Sequence, residues 1–179
     1  MLRIELLTAA LLVGLLVGPA PAQAQGESAT AQAEALAITP LSIVKEQDLD
    51  FGLIIPGTSD GFVTLSPDNT VTTTGGITTT GTTQNAAFYG FGTFNQRLRI
   101  NLDANQYLLV RQGGTETMRM DQMTIGSQPP VVIGTAPRTF RIASASGLFR
   151  FTMGGRLQVR ANQVPGTYVG QFTVAVEYL

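Results

Sequence analysis

Residues 165–179 read PGTYVGQFTVAVEYL, and the fold class turns on how that stretch is taken. From Tyr168 onward every second position is apolar, aromatic or glycine: Tyr168, Gly170, Phe172, Val174, Val176 and Tyr178. The intervening residues, Val169, Gln171, Thr173, Ala175 and Glu177, are more polar. Successive side chains of an extended chain point to opposite faces, so this alternation predicts a half-buried strand and not a helix. Taken as one element over 167–178, it is about twice the usual strand length.

Working outward, the same vocabulary recurs along the chain. Strands are predicted at 36–44, 49–55, 61–66, 71–80, 86–91, 97–102, 107–111, 117–125, 138–143, 148–153 and 156–159, besides the terminal one. The clusters PGTSDG, SPDN, LDAN, RQGG, SQPP and MGGR separate many of them. In MGGR, Gly154 and Gly155 suit a two-residue hairpin with left-handed backbone. The tract TTTGGITTTGTT (72–83) suits an exposed, threonine-rich edge strand kinked at its glycines. Many short strands with closely spaced turns predict an all-β antiparallel sandwich. The expected core is Leu49, Phe51, Ile100, Phe140, Phe149, Phe151, Phe172, Val174 and Val176.

The other end of the chain differs in character. Residues 6–17 form an apolar run, and Ala22, Gln23 and Ala24 make a small-x-small cleavage signal, so residues 1–24 are expected to be a secretory signal peptide. Residues 25–35 form a polar, alanine-rich extension, and 36–179 the β-sandwich domain. No later stretch is long and apolar enough to be expected to span a membrane.

Composition narrows the chemistry. The chain has no cysteine and no histidine, which removes thiol catalysis and the commonest general base and metal ligand. Charged residues make up 13% and nearly cancel, leaving no basic patch that would suggest nucleic acid. Ser42 and Lys45 match an S-x-x-K spacing, but a strand sends residues three apart to opposite faces. Lys45 is the sole lysine, so no K-T-G element accompanies it. Asp48 and Asp50 flank a strand start without a calcium-loop pattern, and nothing places Glu116 beside Asp121 as an acid–base pair. Both are read as exposed loop charges. Gly90 and Gly92 lack the third glycine of a dinucleotide loop. Arg97 and Arg99 alternate with Leu98 and Ile100, as on the solvated face of a strand. No catalytic, cofactor-binding or metal-binding residue is expected, and the chain is not read as an enzyme.

Four landmarks fall in order: ITPLSIVKEQDLDFG, GFVTLSP, FTMGGRLQV and PGTYVGQFTVAVEYL. Together they resemble a family of uncharacterised secreted bacterial proteins, a domain of unknown function with the pattern TPLSI–LDFG–GG-L-V–GTYSG-FTVTV-Y. The ends are also similar to spore-coat-U-type and chaperone–usher pilin subunits, in an L-x-F-G near the first strand, a glycine before the last strand and a penultimate aromatic, here Tyr178. Pilins usually carry a disulfide near the first strand, which this chain lacks.

The resemblance implies an immunoglobulin-like sandwich that is incomplete, with a fibre assembled by donor-strand exchange. Leu36 and Ile38 would be the donor positions, with Pro40 ending the donor segment. Tyr168, Gly170, Phe172, Val174, Val176 and Tyr178 would be the acceptor edge. The implied partners are copies of the chain or related subunits, a periplasmic chaperone and an outer-membrane usher. The implied location is the periplasm, outer surface or fimbrium of a bacterium. A stand-alone secreted or cell-surface β-sandwich that binds sugar or protein is the alternative.

Overall fold

The computed structural model describes residues 31–179. The signal-peptide reading of 1–24, and the extension up to residue 30, lie outside the described residues. The backbone divides into two units, Met1–Leu36 and Ala37–Leu179. Residues 31–36 of the first are exposed and carry no strand.

The second unit is all-β and antiparallel, with no helix among the described residues. Its strands are β1 (Ser42–Gln47), β2 (Leu53–Ile55), β3 (Gly61–Leu65), β4 (Val71–Thr73), β5 (Thr78–Thr80), β6 (Ala86–Phe91) and β7 (Arg97–Leu102). They continue as β8 (Gln106–Arg111), β9 (Thr117–Ile125), β10 (Val131–Val132), β11 (Arg138–Arg141), β12 (Leu148–Val159), β13 (Tyr168–Val169) and β14 (Val174–Tyr178). A nine-stranded sheet runs β1-β6-β12-β9-β8-β13, with β10 beside β9 and the β3–β4 hairpin beside β12. A three-stranded sheet runs β11-β7-β14, and β2 pairs with β5. Leu98, Ile100 and Leu102 of β7 join Phe88, Met120, Met153 and Leu157 of the large sheet in one apolar cluster.

β12 organises this core. Its first half pairs with β6 (Met153↔Ala86), its second half with β3 on the same side (Leu157↔Val63), and β9 lies along the other side (Met153↔Ile125, Leu157↔Met120). The expected hairpin at Gly154 and Gly155 is therefore replaced by one uninterrupted strand. Neither glycine has positive φ. They are small for a different reason: a Cβ on Gly154 would strike the backbone of Leu65 and Ser66, and one on Gly155 would lie 2.8 Å from the Met123 sulfur. The glycines mark close backbone approach and a bulge, where the β12–β9 register shifts between Gly154 and Arg156.

The same bulge explains the reading of β9. Met118 and Met120 are buried, then Met123 and Ile125, so the buried parity slips by one across Asp121 and Gln122, the latter at φ 47°. Asp121 is thereby drawn into the sheet at 9% exposure, correcting its reading as an exposed loop charge. Arg156 grips it with two of its three guanidinium nitrogens (Nε–Oδ1 2.8 Å, Nη2–Oδ2 3.1 Å) and stacks 4.3 Å over the Phe62 ring.

The threonine tract is two strands and not one: β4 pairs with β3, β5 with β2, and Gly75 and Gly76 turn between them at positive φ. Of the expected core, Phe51, Ile100 and Phe151 are buried. Leu49, Phe140, Phe149, Phe172, Val174 and Val176 pack against the core while half-buried.

Candidate functional site

The terminal alternation does not form one strand. Tyr168 and Val169 pair with Arg111 and Val110 of β8 in the large sheet, whereas Val174 to Tyr178 pair with Leu102 to Leu98 of β7 in the small one. The chain crosses between sheets over residues 170–173, and a polar clamp fixes the crossing. Asp103 N–H donates to the Thr173 carbonyl (3.2 Å) while the Asp103 carboxylate accepts from Thr173 N–H (3.0 Å). The same carboxylate oxygen accepts from the Tyr107 hydroxyl at 2.6 Å. That hydrogen bond from Tyr107 is the main cause holding the Asp103 carboxyl below its ordinary pKa. Burial, then the bond to Asp103, pushes the Tyr107 hydroxyl up to about 12. Of the residues expected as an acceptor edge, Tyr168 lies in the large sheet, Gly170 and Phe172 in the crossing, and Val174, Val176 and Tyr178 in the small sheet, with Phe172 and these last three packed against the core.

β14 ends its sheet, with no strand on its outer side among the described residues. Leu179 N–H donates to the Arg97 carbonyl and Asp103 N–H to the Thr173 carbonyl. In an antiparallel ladder this alternation commits Thr173, Ala175, Glu177 and Leu179 to β7. The backbone N–H and C=O of Val174, Val176 and Tyr178 therefore point to the free edge, and the side chains of the same residues form the inward row. That row is half-buried, although it faces the core.

The opposite wall is β1, the last strand of the large sheet. Its inward row is Ile43 and Lys45, which pair with Gly90 and Phe88 of β6. Leu41 precedes them at the same parity. Two observations set the relative direction of the walls. Phe172, before β14, packs edge-on against Phe88 at 6.3 Å, which places it at the level of Lys45. Tyr178, at the far end of β14, donates its hydroxyl proton to the Thr39 carbonyl (2.8 Å) and accepts from Thr93 N–H (2.7 Å). β14 and β1 thus run antiparallel across an open flank, floored by Phe88, Phe151 and Phe149, whose rings stack at 5.3 and 6.5 Å.

Other expected or excluded residues fall elsewhere. Leu36 is 74% exposed and Ile38 44% exposed, each in backbone without strand pairing. Ser42 and Lys45 lie on opposite faces of β1, as a strand requires. Asp48 holds Lys45 at 2.6 Å, and the Asp50 carboxylate accepts from Gly52 N–H. Glu116 is bound by Arg111 (2.7 Å) and Asp121 by Arg156, so the two carboxylates have separate partners. The hydrogen bond from Arg111 is the main cause keeping the Glu116 carboxyl below its usual range. No group of three or more metal-ligating side chains occurs among the described residues, nor does any helix there have the length and apolarity to cross a membrane. Two surface depressions, of about 440 and 370 Å3, border neither β1 nor β14.

On its outer face the large sheet exposes a second feature that sequence reading passed over. Cross-strand register aligns Val44, Tyr89 and Arg150, and beside them Ser42, Phe91 and Leu148. Tyr89 is 48% exposed, Phe91 39% and Leu148 57%, with Arg150 lying 5.7 Å over the Tyr89 ring and held by Glu46 at 2.7 Å. The outward positions of three adjacent strands carry this patch; its signal in the sequence was the apolar residues that break each strand's polar parity.

Residues 41–178, the whole pairing framework from just before β1 to the end of β14, match the family described as Domain of unknown function (DUF4402). The chain belongs to that family. No curated protein and no solved structure matches it. The DUF4402 match begins at Leu41 and so leaves out Leu36 and Ile38.

Proposed function

We propose that this DUF4402 protein is a secreted structural or adhesive subunit of a bacterial surface fibre, of the chaperone–usher pilus kind, assembled by donor-strand exchange. On this reading its fold is an immunoglobulin-like sandwich lacking one strand. The observation that carries the proposal is the free edge of β14, whose outward backbone groups and half-buried side chains belong to the same three residues, Val174, Val176 and Tyr178. An extended peptide satisfies such an edge twice over, through main-chain hydrogen bonds and through alternate side chains. Residues 31–38 supply a candidate, being exposed and unpaired, with Leu36 and Ile38 at the same parity. Full burial of each is worth about 1.5–3 kcal/mol. The partners would be other copies or related subunits, with a periplasmic chaperone and an outer-membrane usher, and the location the periplasm or cell surface.

Deleting residues 26–38 tests this reading. The expected product is a folded domain that no longer assembles, and Leu36→Asp with Ile38→Asp should act likewise. Protease should trim the wild-type monomer rapidly to about Pro40 and then stop. If the deletion unfolds the domain, the segment belongs to its own sandwich and the proposal fails.

A stand-alone binding role is the second reading, favoured by the exposed Tyr89, Phe91 and Leu148 patch. Substituting those three residues would abolish ligand binding under that reading and leave fibre assembly untouched.

A further inference from the structure

We infer that the depression of about 370 Å3 over the β9 bulge is a binding site for a small hydroxylated carboxylate of the sugar-acid (uronate) class. None of its lining residues belongs to β1 or β14, so the inference stands apart from the donor-strand reading.

The bulge builds the floor. Cross-strand register puts Gln106, Asp121 and Arg156 side by side over β8, β9 and β12. Their chain neighbours Tyr107, Met120 and Leu157 are buried in the core, so this row occupies the outer face of the sheet. Outer faces usually meet water, yet the Asp121 side chain is only 12% exposed. The segment leaving β10 fixes the rim beside it. Ile133 N–H donates to the Met123 carbonyl and Leu102 N–H to the Gly134 carbonyl, both at 2.8 Å, and Thr135 N–H donates to the Asn105 side chain at 3.0 Å. Gln122, on the same lining, holds a left-handed backbone at φ 47°, a strain that bulges beside binding sites commonly carry.

The charges on this lining do not cancel. Asp121 is its sole acid, and Arg156 and Arg119 both approach that carboxylate, at 2.8 and 3.7 Å. Arg138, also on the lining, has no ion-pair or hydrogen-bond partner for its side chain among the described residues. Two lining guanidiniums against one carboxylate leave a net charge of +1, which matches a monoanion. The planar fork of Arg138 suits a two-point grip on a carboxylate. Two amides stand ready for hydroxyls. The Gln106 side chain has no partner among the described residues, and Gln122, with its oxygen turned to Arg156 Nη1 and Nη2 at 3.3 Å each, keeps its N–H donors uncommitted. Val132 supplies an apolar wall for the C–H face of a ring. The volume lies at the small end of ligand pockets, roughly 300–1,000 Å3, and so suits a single sugar ring. The 440 Å3 depression is lined without any cation and offers no such grip.

Nuclear magnetic resonance of the isotope-labelled protein, titrated separately with sodium glucuronate, glucose and inorganic phosphate, tests the assignment. Glucuronate should shift the Arg138 Nε–H and the Gln106 and Gln122 side-chain amides saturably, and bind at least about tenfold more tightly than glucose, the scale of one charge-assisted hydrogen bond. Arg138→Gln should keep the folded spectrum and weaken glucuronate by about tenfold, and Arg138→Lys should recover part of that loss. Glucose binding as tightly as glucuronate, or undiminished affinity in Arg138→Gln, overturns the inference. Phosphate binding more tightly than glucuronate overturns the sugar-acid class in favour of a general anion site. Shifts confined to Tyr89, Phe91 and Leu148, or no response to glucuronate up to its solubility, overturn it as well.

Discussion

Two parts of the core share the same alternating pattern and differ in everything that follows from it. At the centre, β12 has strands on both sides, and Met153, Leu157 and Val159 are 0–2% exposed. On the flank, β14 has one neighbour, and its equally apolar inward row stays half-buried. Alternation in a sequence states which face of a strand looks inward. Whether that face is covered depends on how many strands stand beside it, and this is a property of topology.

The contrast is sharpest in the cost of removing side chains. Leu157→Ala should destabilise the domain by about 3–4 kcal/mol, because the cavity it leaves is walled by β3 and β9 and has little freedom to collapse. Val176→Ala in the monomer should cost about 1 kcal/mol or less, since its side chain already meets water. Denaturant midpoints measure both, and comparable costs would erase the distinction between the two regions.

Gly154 offers a test of the β12 assignment. Its neighbours are the backbone atoms of Leu65 and Ser66, which cannot move aside as a flexible side chain would. Gly154→Ala should cost about 1–3 kcal/mol through overpacking alone. An unchanged melting temperature would mean that β3 does not press on β12 there.

The clamp at the sheet crossing gives a pH-dependent effect of smaller size. The folded pKa of Asp103 is depressed, chiefly by the Tyr107 hydroxyl, so the unfolded chain binds the proton more readily. The stability this contributes is present above the ordinary carboxylate range and is lost as pH falls through the lower folded value. Tyr107 has the opposite sign: its folded pKa is raised to about 12, so its contribution is present below about pH 10 and is lost between there and about 12. Asp103→Asn should flatten the acid side of the stability curve and loosen Thr173 without unfolding β12. Thermal melts across pH give the comparison, and an unaltered acid limb would remove Asp103 from the clamp.

Much of this framework was legible in the sequence. β6, β7 and β9 were expected over residues 86–91, 97–102 and 117–125, where β-branched, aromatic or alternating runs are bounded by turn residues. What escaped was set by contacts between distant segments. Gly154 and Gly155 look like a hairpin in sequence, yet they are small because β3 and Met123 approach them. The terminal stretch looks continuous because its alternation is unbroken, yet Asp103, seventy positions away from Thr173, takes hold of it and turns it into the second sheet. Met118, Met120 and Met123 went unrecognised as core, since a bulge at Gln122 breaks their two-residue period. The apolar face of β14 was readable from residues alone, whereas its missing neighbour required the strand order.

Amide hydrogen exchange, resolved by residue, tests that central contrast most directly. In the monomer, the N–H groups of Val174, Val176 and Tyr178 should exchange fast while those of Ala175, Glu177 and Leu179, bonded to β7, exchange slowly; in assembled material all six should be protected. Uniform protection of β14 in the monomer would mean that its edge is already paired, and would contradict the account.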